Sequence, residues 1–324
     1  MGVTRFALLS TAAINEALLG GARDSDLVTI VGVGSRDRAR AQAYAHERGL
    51  EHAYGSYDEL LADPEVDAVY VALPNALHVQ WSIRALEAGK HVLSEKPLSR
   101  NPAEVERAFD AADRAGRLLM EGFMYRHHPQ TKKLKQLVDD GAIGELRLVR
   151  TQFSFMLDRP NDVRWDPELG GGALLDLGCY CVSGSRLLAG EPGMVHAEQT
   201  LAPSGVDGRF AATMRFANGV LGHFDCAFDL PPRTELEAVG SEGSLFMPQP
   251  FVADDVDLEL RRRDGVERFP RVSANRYRCE LENFSRAIRG EEEPLLGRDE
   301  SLAQARVLDA LLRSAATGEP VRLA

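Results

Sequence analysis

The sequence predicts an α/β protein whose first part is a doubly wound parallel sheet and whose second part is a separate α+β domain. Residues 27–33 form a nearly continuous apolar run, which is typical of a parallel strand covered on both faces. Up to residue 120, such runs alternate with helical stretches, as βαβ units require. Farther on, β-rich runs recur with one helix among them, which predicts a large open, mainly antiparallel sheet. The boundary is predicted at residues 121 and 122.

In the first part, glycine and cap residues mark several of the predicted helix ends. Gly49 and Gly89 each follow a helical stretch, as residues just beyond a helix C-terminus commonly do. Asn101 opens a helix as a cap, followed by Pro102 and then by Glu104 at the third position. The predicted elements are strands at 5–9, 27–33, 68–72 and 90–93, and helices at 15–22, 37–48, 57–61, 78–88 and from 101 onward.

The second part has a different rhythm. A helix ending at Gly141 precedes a series of alternating or β-rich runs, and two helices close the chain. The predicted strands lie at 146–155, 195–202, 210–216, 220–228, 236–239 and 257–261, and the helices at 131–140, 173–188, 278–289 and 301–316. The sequence contains no internal repeat.

Composition excludes several classes of protein. Lys and Arg total 38 against 49 Asp and Glu, and a net charge of −11 without a basic tract argues against nucleic-acid or anionic-membrane partners. No run approaches the roughly 18 apolar residues of a membrane span, and polar residues interrupt the would-be core of an N-terminal signal. Four cysteines do not make a disulfide framework, which predicts a reducing, cytoplasmic location.

The turn after the first strand is the expected place for a dinucleotide pyrophosphate, against the first helix N-terminus. Small residues stand there instead of glycines, which still permits backbone approach to phosphate. This turn consists of Ser10, Thr11, Ala12, Ala13 and Ile14. The glycine pair Gly32 and Gly34 ends the second strand rather than the first, so tight packing of a buried strand explains it better than a phosphate loop.

The end of the second strand indicates which dinucleotide is bound. NAD-specific sheets carry an acidic residue there for the ribose 2′-hydroxyl. This chain has Ser35 and Arg36, with Arg38 and Arg40 close behind. Because a guanidinium suits a 2′-phosphate, the sequence favours NADP over NAD. The alternative is that these arginines simply solvate a helix.

Two further segments carry candidate catalytic residues. Lys96 lies between Glu95 and Pro97 at the end of the fourth predicted strand, where a parallel sheet places its ligands. Residues 170–180 begin with three glycines and put Asp176 and Tyr180 four positions apart, on one face of the predicted helix. Apolar neighbours surround Asp176, and a buried carboxylate needs a partner. A structural Asp–Tyr hydrogen bond is the alternative reading.

At these residues the chain resembles the Gfo/Idh/MocA oxidoreductases, the family of glucose–fructose oxidoreductase and inositol dehydrogenase. The resemblance covers essentially the whole length. It is carried by residues 74–78 (PNALH), 95–97 (EKP), 121–126 (EGFMYR) and 170–180 (GGGALLDLGCY). It implies an N-terminal Rossmann domain over residues 1–121, and a substrate-binding and oligomerisation domain over 122–324. The open sheet of that second domain often forms the subunit interface, which implies a homodimer or homotetramer.

Carried over by position, Lys96 matches the catalytic lysine of the family and Asp176 the aspartate of the glycine-led helix. Tyr180 stands where the inositol dehydrogenase branch has histidine. Tyrosine there is similar to the branch of dimeric dihydrodiol dehydrogenase, NADP-dependent D-xylose dehydrogenases and sugar ketoreductases. The resemblance also implies a cis Lys96–Pro97 bond. It places further residues against the cofactor: Leu73, Pro74, Asn75, His78, Glu95, Pro97, Arg164 and Trp165.

The implied reaction is hydride transfer between a sugar carbinol carbon and the nicotinamide. A tyrosine with an ordinary pKa of about 10 needs help to act as a base, and the Lys96 ammonium would supply it. The sequence leaves open whether Lys96 or Tyr180 is the immediate proton carrier. Asp176 would orient sugar hydroxyls or hold Lys96. An aldose 1-dehydrogenase for D-xylose or D-glucose is the leading expectation. The alternatives are a ketosugar or 1,5-anhydrofructose reductase, a trans-dihydrodiol or inositol dehydrogenase, an NAD-assisted glycosidase and a non-catalytic NADP sensor.

No metal site is expected. Cys179 and Cys181 point to opposite faces of a helix, and zinc sites pair such residues with a second pair elsewhere. Residues 153–166 and 275–278 are the stretches expected to face the substrate.

Overall fold

A computed structural model describes residues 2–252 and 257–323. The chain divides into two compact units. The first consists of the chain up to Ser99, Ala103–His127 and Asn275–Leu302, and the second of Arg100–Pro102, His128–Ala274 and the chain from Ala303. Within the described ranges, no helix combines the length and the apolar character needed to cross a membrane.

The first unit contains a six-stranded sheet in which all neighbouring strands are parallel, in the order β3-β2-β1-β4-β5-β6. The predicted doubly wound sheet is therefore confirmed. Its strands are β1 (Thr4–Leu9), β2 (Val28–Gly34), β3 (His52–Tyr54), β4 (Ala68–Val71), β5 (His91–Glu95) and β6 (Leu119–Gly122). Its helices are α1 (Asn15–Arg23), α2 (Arg38–Arg48), α3 (Tyr57–Leu61), α4 (His78–Glu87), α5 (Pro102–Ala115) and α6 (Met124–His127).

The central strands of this sheet are buried on both faces. In β1, Phe6 and Leu8 point to one side and Ala7 and Leu9 to the other, and all four are fully buried. A late segment, α9 (Arg276–Ile288), belongs to this unit, and its Phe284 ring lies 6.1 Å from the Phe6 ring. The first unit is therefore built from the N-terminal part of the chain and from a later segment, Asn275–Leu302.

The glycine pair of β2 is explained by packing. A β-carbon at Gly32 would lie 2.9 Å from the backbone oxygen of His52 and the same distance from the Tyr54 ring. One at Gly34 would lie 3.0 Å from the Leu60 side chain. These contacts agree with the packing interpretation of the pair.

The second unit contains a nine-stranded sheet, with the order β14-β13-β12-β11-β7-β10-β9-β8-β15. Every neighbouring pair is antiparallel except β10 and β7, so the expected mainly antiparallel sheet is confirmed. Its strands are β7 (Leu146–Met156), β8 (Pro192–Leu201), β9 (Asp207–Phe216), β10 (Leu221–Ala227), β11 (Asp229–Gly240), β12 (Gly243–Pro248), β13 (Leu258–Arg262), β14 (Gly265–Phe269) and β15 (Val321–Arg322). The remaining helices are α7 (Pro129–Asp139), α8 (Cys179–Ala189) and α10 (Arg298–Thr317).

One face of this sheet packs against α8 and the helical turn that precedes it. In β9, Phe210 and Met214 are buried, whereas Arg209, Thr213 and Arg215 on the opposite face are exposed. This two-residue alternation is the pattern expected of a sheet with one solvated face.

Candidate functional site

The turn from β1 to α1 is held by hydrogen bonds of Ser10. Its hydroxyl donates to the Ala72 carbonyl oxygen at 2.7 Å and accepts from the Ala12 N–H at 3.2 Å. The buried Asn15, the first residue of α1, donates from its side chain to the Ser10 carbonyl at 2.8 Å. Ser10 has a φ of 135°, a conformation that favours glycine. The small side chains Ala12 and Ala13 leave the backbone in front of α1 open to a phosphate group.

At the carboxyl end of β2, the charged side chains take different roles. Asp37 caps α2 by accepting from the Arg40 N–H at 3.2 Å, and the Arg38 guanidinium pairs with Glu59 at 2.7 Å. Arg36 and Arg40 are exposed. Burial raises the pKa of the Tyr57 phenol, and the positive charges of Arg36 and Arg40 oppose this increase without cancelling it. Arg36 and Arg40 are therefore both close enough to Tyr57 to affect its pKa, and both follow the strand end where the sequence predicts the 2′-phosphate.

His78 connects the ends of β4 and β5. Its side chain is 1% exposed, and its two ring nitrogens lie 2.7 Å from the Leu73 carbonyl oxygen and 2.8 Å from that of Pro97. Burial lowers the pKa of His78 to about 4, and the Lys96 charge adds to the effect, against the opposing hydrogen bonds to Pro97 and Leu73. The neutral His78 ring therefore lies between two of the backbone segments expected to line the cofactor and donates its single N–H to one of these two carbonyl oxygens.

Lys96 is half-buried directly after β5, and its bond to Pro97 is cis, as predicted. The backbone N–H of Lys96 lies 3.3 Å from the side-chain carboxylate of Glu95. This carboxylate also accepts a hydrogen bond from the buried Tyr70 hydroxyl. Glu280 of α9 is 1% exposed. Burial is the main cause that raises the pKa of Glu280 well above its ordinary value, and the negative charge of Glu95 adds to the increase. Two carboxyl groups thus interact at the strand end that carries Lys96.

The glycine-led segment, residues 170–180, differs in one respect from the predicted helix. Leu174–Gly178 is a π-helical turn, and only from Cys179 does the chain continue as the α-helix α8. π-helical turns inside helices are frequently found at functional sites. The Asp176 N–H donates to the Gly172 carbonyl at 3.1 Å, so the carboxylate is held one turn beyond the glycines.

Asp176 is paired with Arg164. The Arg164 Nε donates to Asp176 Oδ2 at 2.6 Å, and a second guanidinium nitrogen lies 3.1 Å from Asp162. The glycines bring this pair together: the N–H of Gly172 donates to the Arg164 carbonyl at 3.0 Å, and a β-carbon at Gly171 would overlap the same carbonyl oxygen. The negative charge of Asp176 is the largest factor raising the pKa of Arg164.

Tyr180 lies in an aromatic pocket of the second unit and is 6% exposed. Its ring centre is 5.6 Å from that of Phe153, nearly edge-on, and 5.4 Å from that of Phe251. Phe153 and Phe251 stack on each other at 5.6 Å. Trp165 packs edge-on against the Phe228 ring at 5.2 Å. Apolar walls of this kind fix the direction of a phenol and keep water from it.

The predicted residues thus form separate groups within each unit. Ser10 to Pro97 lie at the carboxyl ends of the parallel strands, and Arg164, Trp165, Asp176 and Tyr180 lie around the glycine-led segment. No group of three or more His, Cys, Asp or Glu side chains in the described ranges could hold a metal ion.

Three residues were missed in reasoning from the sequence. Glu280 looks like one more charge on an amphipathic helix, and Phe251 like an ordinary core residue. Asp207 stands between Val206 and Gly208, where it reads as part of a hairpin turn. In the structure, Asp207 is 5% exposed and accepts from the Leu174 N–H at 2.6 Å. No short motif marks these positions.

Two family models match the chain. The description "Oxidoreductase family, NAD-binding Rossmann fold" covers residues 5–123, and "GFO/IDH/MocA C-terminal domain" covers residues 131–246. Among curated proteins, the D-xylose 1-dehydrogenase (NADP(+)) 2 of Haloferax volcanii is 38% identical over 98% of this chain and 99% of its own.

Two solved structures of oxidoreductases are also similar to this chain over nearly its whole length. A 3-ketoreductase from Actinomadura kijaniata, crystallised with NADP and TDP-benzene, superposes with a TM-score of 0.91 at 31% identity, over 96% of this chain and 98% of its own. An aldose-aldose oxidoreductase from Caulobacter crescentus, complexed with glycerol, gives a TM-score of 0.92 at 26% identity, over 99% of this chain and 100% of its own.

Proposed function

Because the chain belongs to the Gfo/Idh/MocA oxidoreductase family, we propose that it is an NADP-dependent dehydrogenase that oxidises an aldose such as D-xylose or D-glucose at C1. The observation that carries the substrate class is the 38% identity, over 98% of the chain, to a D-xylose 1-dehydrogenase. The pairing of Arg164 with Asp176 beside an aromatic-walled tyrosine supports it, since sugars need both charged hydrogen-bond partners and apolar surfaces.

The residues at the ends of β1 and β2 fit NADP. The turn of residues 10–14 lies at the start of α1, where a helix N-terminus suits a phosphate, and the exposed Arg36 and Arg40 offer guanidinium groups for the 2′-phosphate. The acidic residue of this stretch, Asp37, is engaged in capping α2. When bound, NADP supplies hydride transfer at its nicotinamide ring.

The chain supplies proton handling and orientation. In this proposal Tyr180 takes the proton of the C1 hydroxyl, and Lys96 provides the positive charge that a phenolate requires. Asp176 accepts hydrogen bonds from sugar hydroxyls and is held in place by Arg164. The aromatic rings around Tyr180 exclude water from the step.

A second candidate is the reverse chemistry, NADPH-dependent reduction of a ketosugar. The likeness to a 3-ketoreductase over 96% of the chain favours it. The same residues would then act in the opposite sense, with Tyr180 donating a proton to the carbonyl oxygen.

A steady-state screen tests the proposal. Aldoses, inositols and ketosugars are assayed at 340 nm with NADP(H) and NAD(H) side by side, and we expect D-xylose or D-glucose with NADP to give the highest kcat/KM. Tyr180→Phe should lower kcat by about 10²- to 10⁴-fold. Lys96→Ala should be nearly inactive and still bind NADPH, whereas Lys135→Ala, which removes a lysine paired with Asp139 on α7, should match the wild type.

Each part of the proposal has its own contrary outcome. Wild-type turnover by Tyr180→Phe would exclude that residue as the base. Preference for ketosugars with NADPH would establish the second candidate instead. Glycoside cleavage without net change at 340 nm would indicate an NAD-assisted glycosidase, and NADPH binding without turnover of any sugar would indicate a sensor.

A further inference from the structure

We propose that Asp207 is a positioning residue that fixes the start of the glycine-led segment, and so sets where Asp176 and Tyr180 present their side chains. The catalytic part of this inference rests on the proposed function. The structural part concerns contacts inside the second unit alone.

Asp207 replaces the local cap that this segment lacks. Ala173, at the cap position, has no side-chain oxygen, and the first N–H groups of a helix have no partners within it. Asp207, the first residue of β9, reaches in from a distant part of the chain, and its Oδ2 accepts from the Leu174 N–H at 2.6 Å. This contact joins residues 33 positions apart. The start of the segment is thereby anchored to the sheet.

Gly172 makes room for this contact. A β-carbon at position 172 would overlap Asp207 Oδ1, and the glycine φ of +117° is one that other residues rarely adopt. Any side chain at 172 is therefore disfavoured on two independent grounds. Gly172 and Asp207 form a matched pair, which accounts for the third glycine of the motif.

The anchored end leads directly to the candidate catalytic residues. Gly172 donates its N–H to the Arg164 carbonyl at 3.0 Å and accepts from the Asp176 N–H at 3.1 Å. A shift of Gly172 therefore moves both members of the Arg164–Asp176 pair. Tyr180 follows within about one more turn, so its ring direction depends on the same anchor.

Packing alone does not explain an aspartate at position 207. Burial raises the pKa of Asp207 to about 7, although the N–H groups of Leu174, Asp207 and Ala173 act in the opposite direction. A buried acid with a raised pKa lowers the stability of the fold as the pH rises, so a small apolar residue would suit the site better if only packing mattered. What Asp207 provides, and a small apolar residue would not, is hydrogen bonding to the glycine-led segment.

The test compares Asp207→Ala and Asp207→Asn with Asp229→Asn, which alters an exposed aspartate paired with Arg209 in the same unit. Hydrogen exchange is measured by mass spectrometry for peptides spanning residues 170–185 and 258–269. Steady-state kinetics use NADP and the best sugar from the screen. For Asp207→Ala we expect about tenfold faster exchange over 170–185, as loss of a helix cap implies. We expect kcat to fall at least as much, with an unchanged KM for NADP.

Asp207→Asn keeps one acceptor oxygen, so it should lie between the wild type and Asp207→Ala in both measurements. Asp229→Asn, and the peptide over 258–269 in every variant, should behave as in the wild type. If Asp207→Ala does not fold, the Asp207→Asn values decide.

Wild-type exchange over 170–185 in the folded Asp207 variants would overturn the inference. So would faster exchange accompanied by an unchanged kcat. If the wild-type protein turns over no sugar with NADP, the proposed function fails, and the exchange data alone judge whether Asp207 anchors the segment.

Discussion

Arg164 Nε lies 2.6 Å from Asp176 Oδ2 and joins a short turn before the glycines to the helical turn after them. The Asp176 side chain is 15% exposed and that of Arg164 is 40% exposed. Each charge is therefore partly removed from water and depends on the other for compensation.

This pair predicts strongly non-additive kinetics. Arg164→Ala and Asp176→Asn should each lower kcat/KM for the sugar by about 10- to 100-fold, because either change leaves one charge without its partner. The double variant should be little worse than the more severe single one. Steady-state kinetics of the four proteins give the coupling free energy, with Arg147→Ala, an exposed arginine of β7, as the control. Additive losses would show that the two residues act independently.

Arg36 should determine the choice between NADP and NAD. Arg36→Ala should raise KM for NADP by about 10- to 100-fold and leave KM for NAD nearly unchanged, because it removes a charged donor to the 2′-phosphate. Arg38→Ala is the matched control, since the Arg38 guanidinium is paired with Glu59. An equal loss in both variants would assign the effect to general positive charge. A wild-type preference for NAD would contradict the assignment of Arg36.

His78 should make the protein less stable in mild acid. Burial lowers the pKa of His78 to about 4 from an ordinary 6.5, so below pH 6.5 the unfolded chain binds a proton that the folded one does not. The contribution of the neutral His78 to the free energy of unfolding is intact above pH 6.5. It is lost as the pH falls to 4, by about 3 kcal/mol in total. Urea unfolding of the wild type and His78→Gln at several pH values isolates it. A constant difference between the two proteins from pH 7 to 4 would be the contrary result.

The Ser10 turn predicts an order of stability among variants. Ser10→Ala removes two hydrogen bonds and keeps the φ of 135°, whereas Ser10→Gly removes the same bonds and relieves the backbone. The glycine variant should therefore be more stable than the alanine variant by about 1 kcal/mol, as measured by thermal or urea unfolding. Equal stabilities would mean that this φ carries no strain.

Most of the fold follows from patterns that are local in the sequence. The parallel strands at 5–9 and 27–33 are nearly continuous apolar runs because both of their faces are covered, and the structure places β1 and β2 there. Short elements were missed: β3 has three residues and β15 two, too few for a period to show. β14 is exposed along nearly its whole length and so carries no apolar pattern.

The candidate site was predictable only where one segment carries its own chemistry. Lys96 is fixed by its neighbours Glu95 and Pro97, and Asp176 and Tyr180 share one segment, so the sequence shows them directly. The partners of these residues come from elsewhere in the chain. Asp207 lies 33 positions from Leu174, and no periodicity links a strand residue to the helix start that it caps.

The fold of the first unit also determines when it can be completed during translation. Phe284 packs on Phe6, and the hydroxyl groups of Thr4 and Ser285, 281 positions apart, lie 2.5 Å from each other. During translation, the side of β1 that carries Phe6 therefore stays uncovered after β6 has been made. It is covered only when α9 emerges from the ribosome. Truncations that remove α9 should thus destabilise the first unit, although they delete only residues near the C-terminus of the chain.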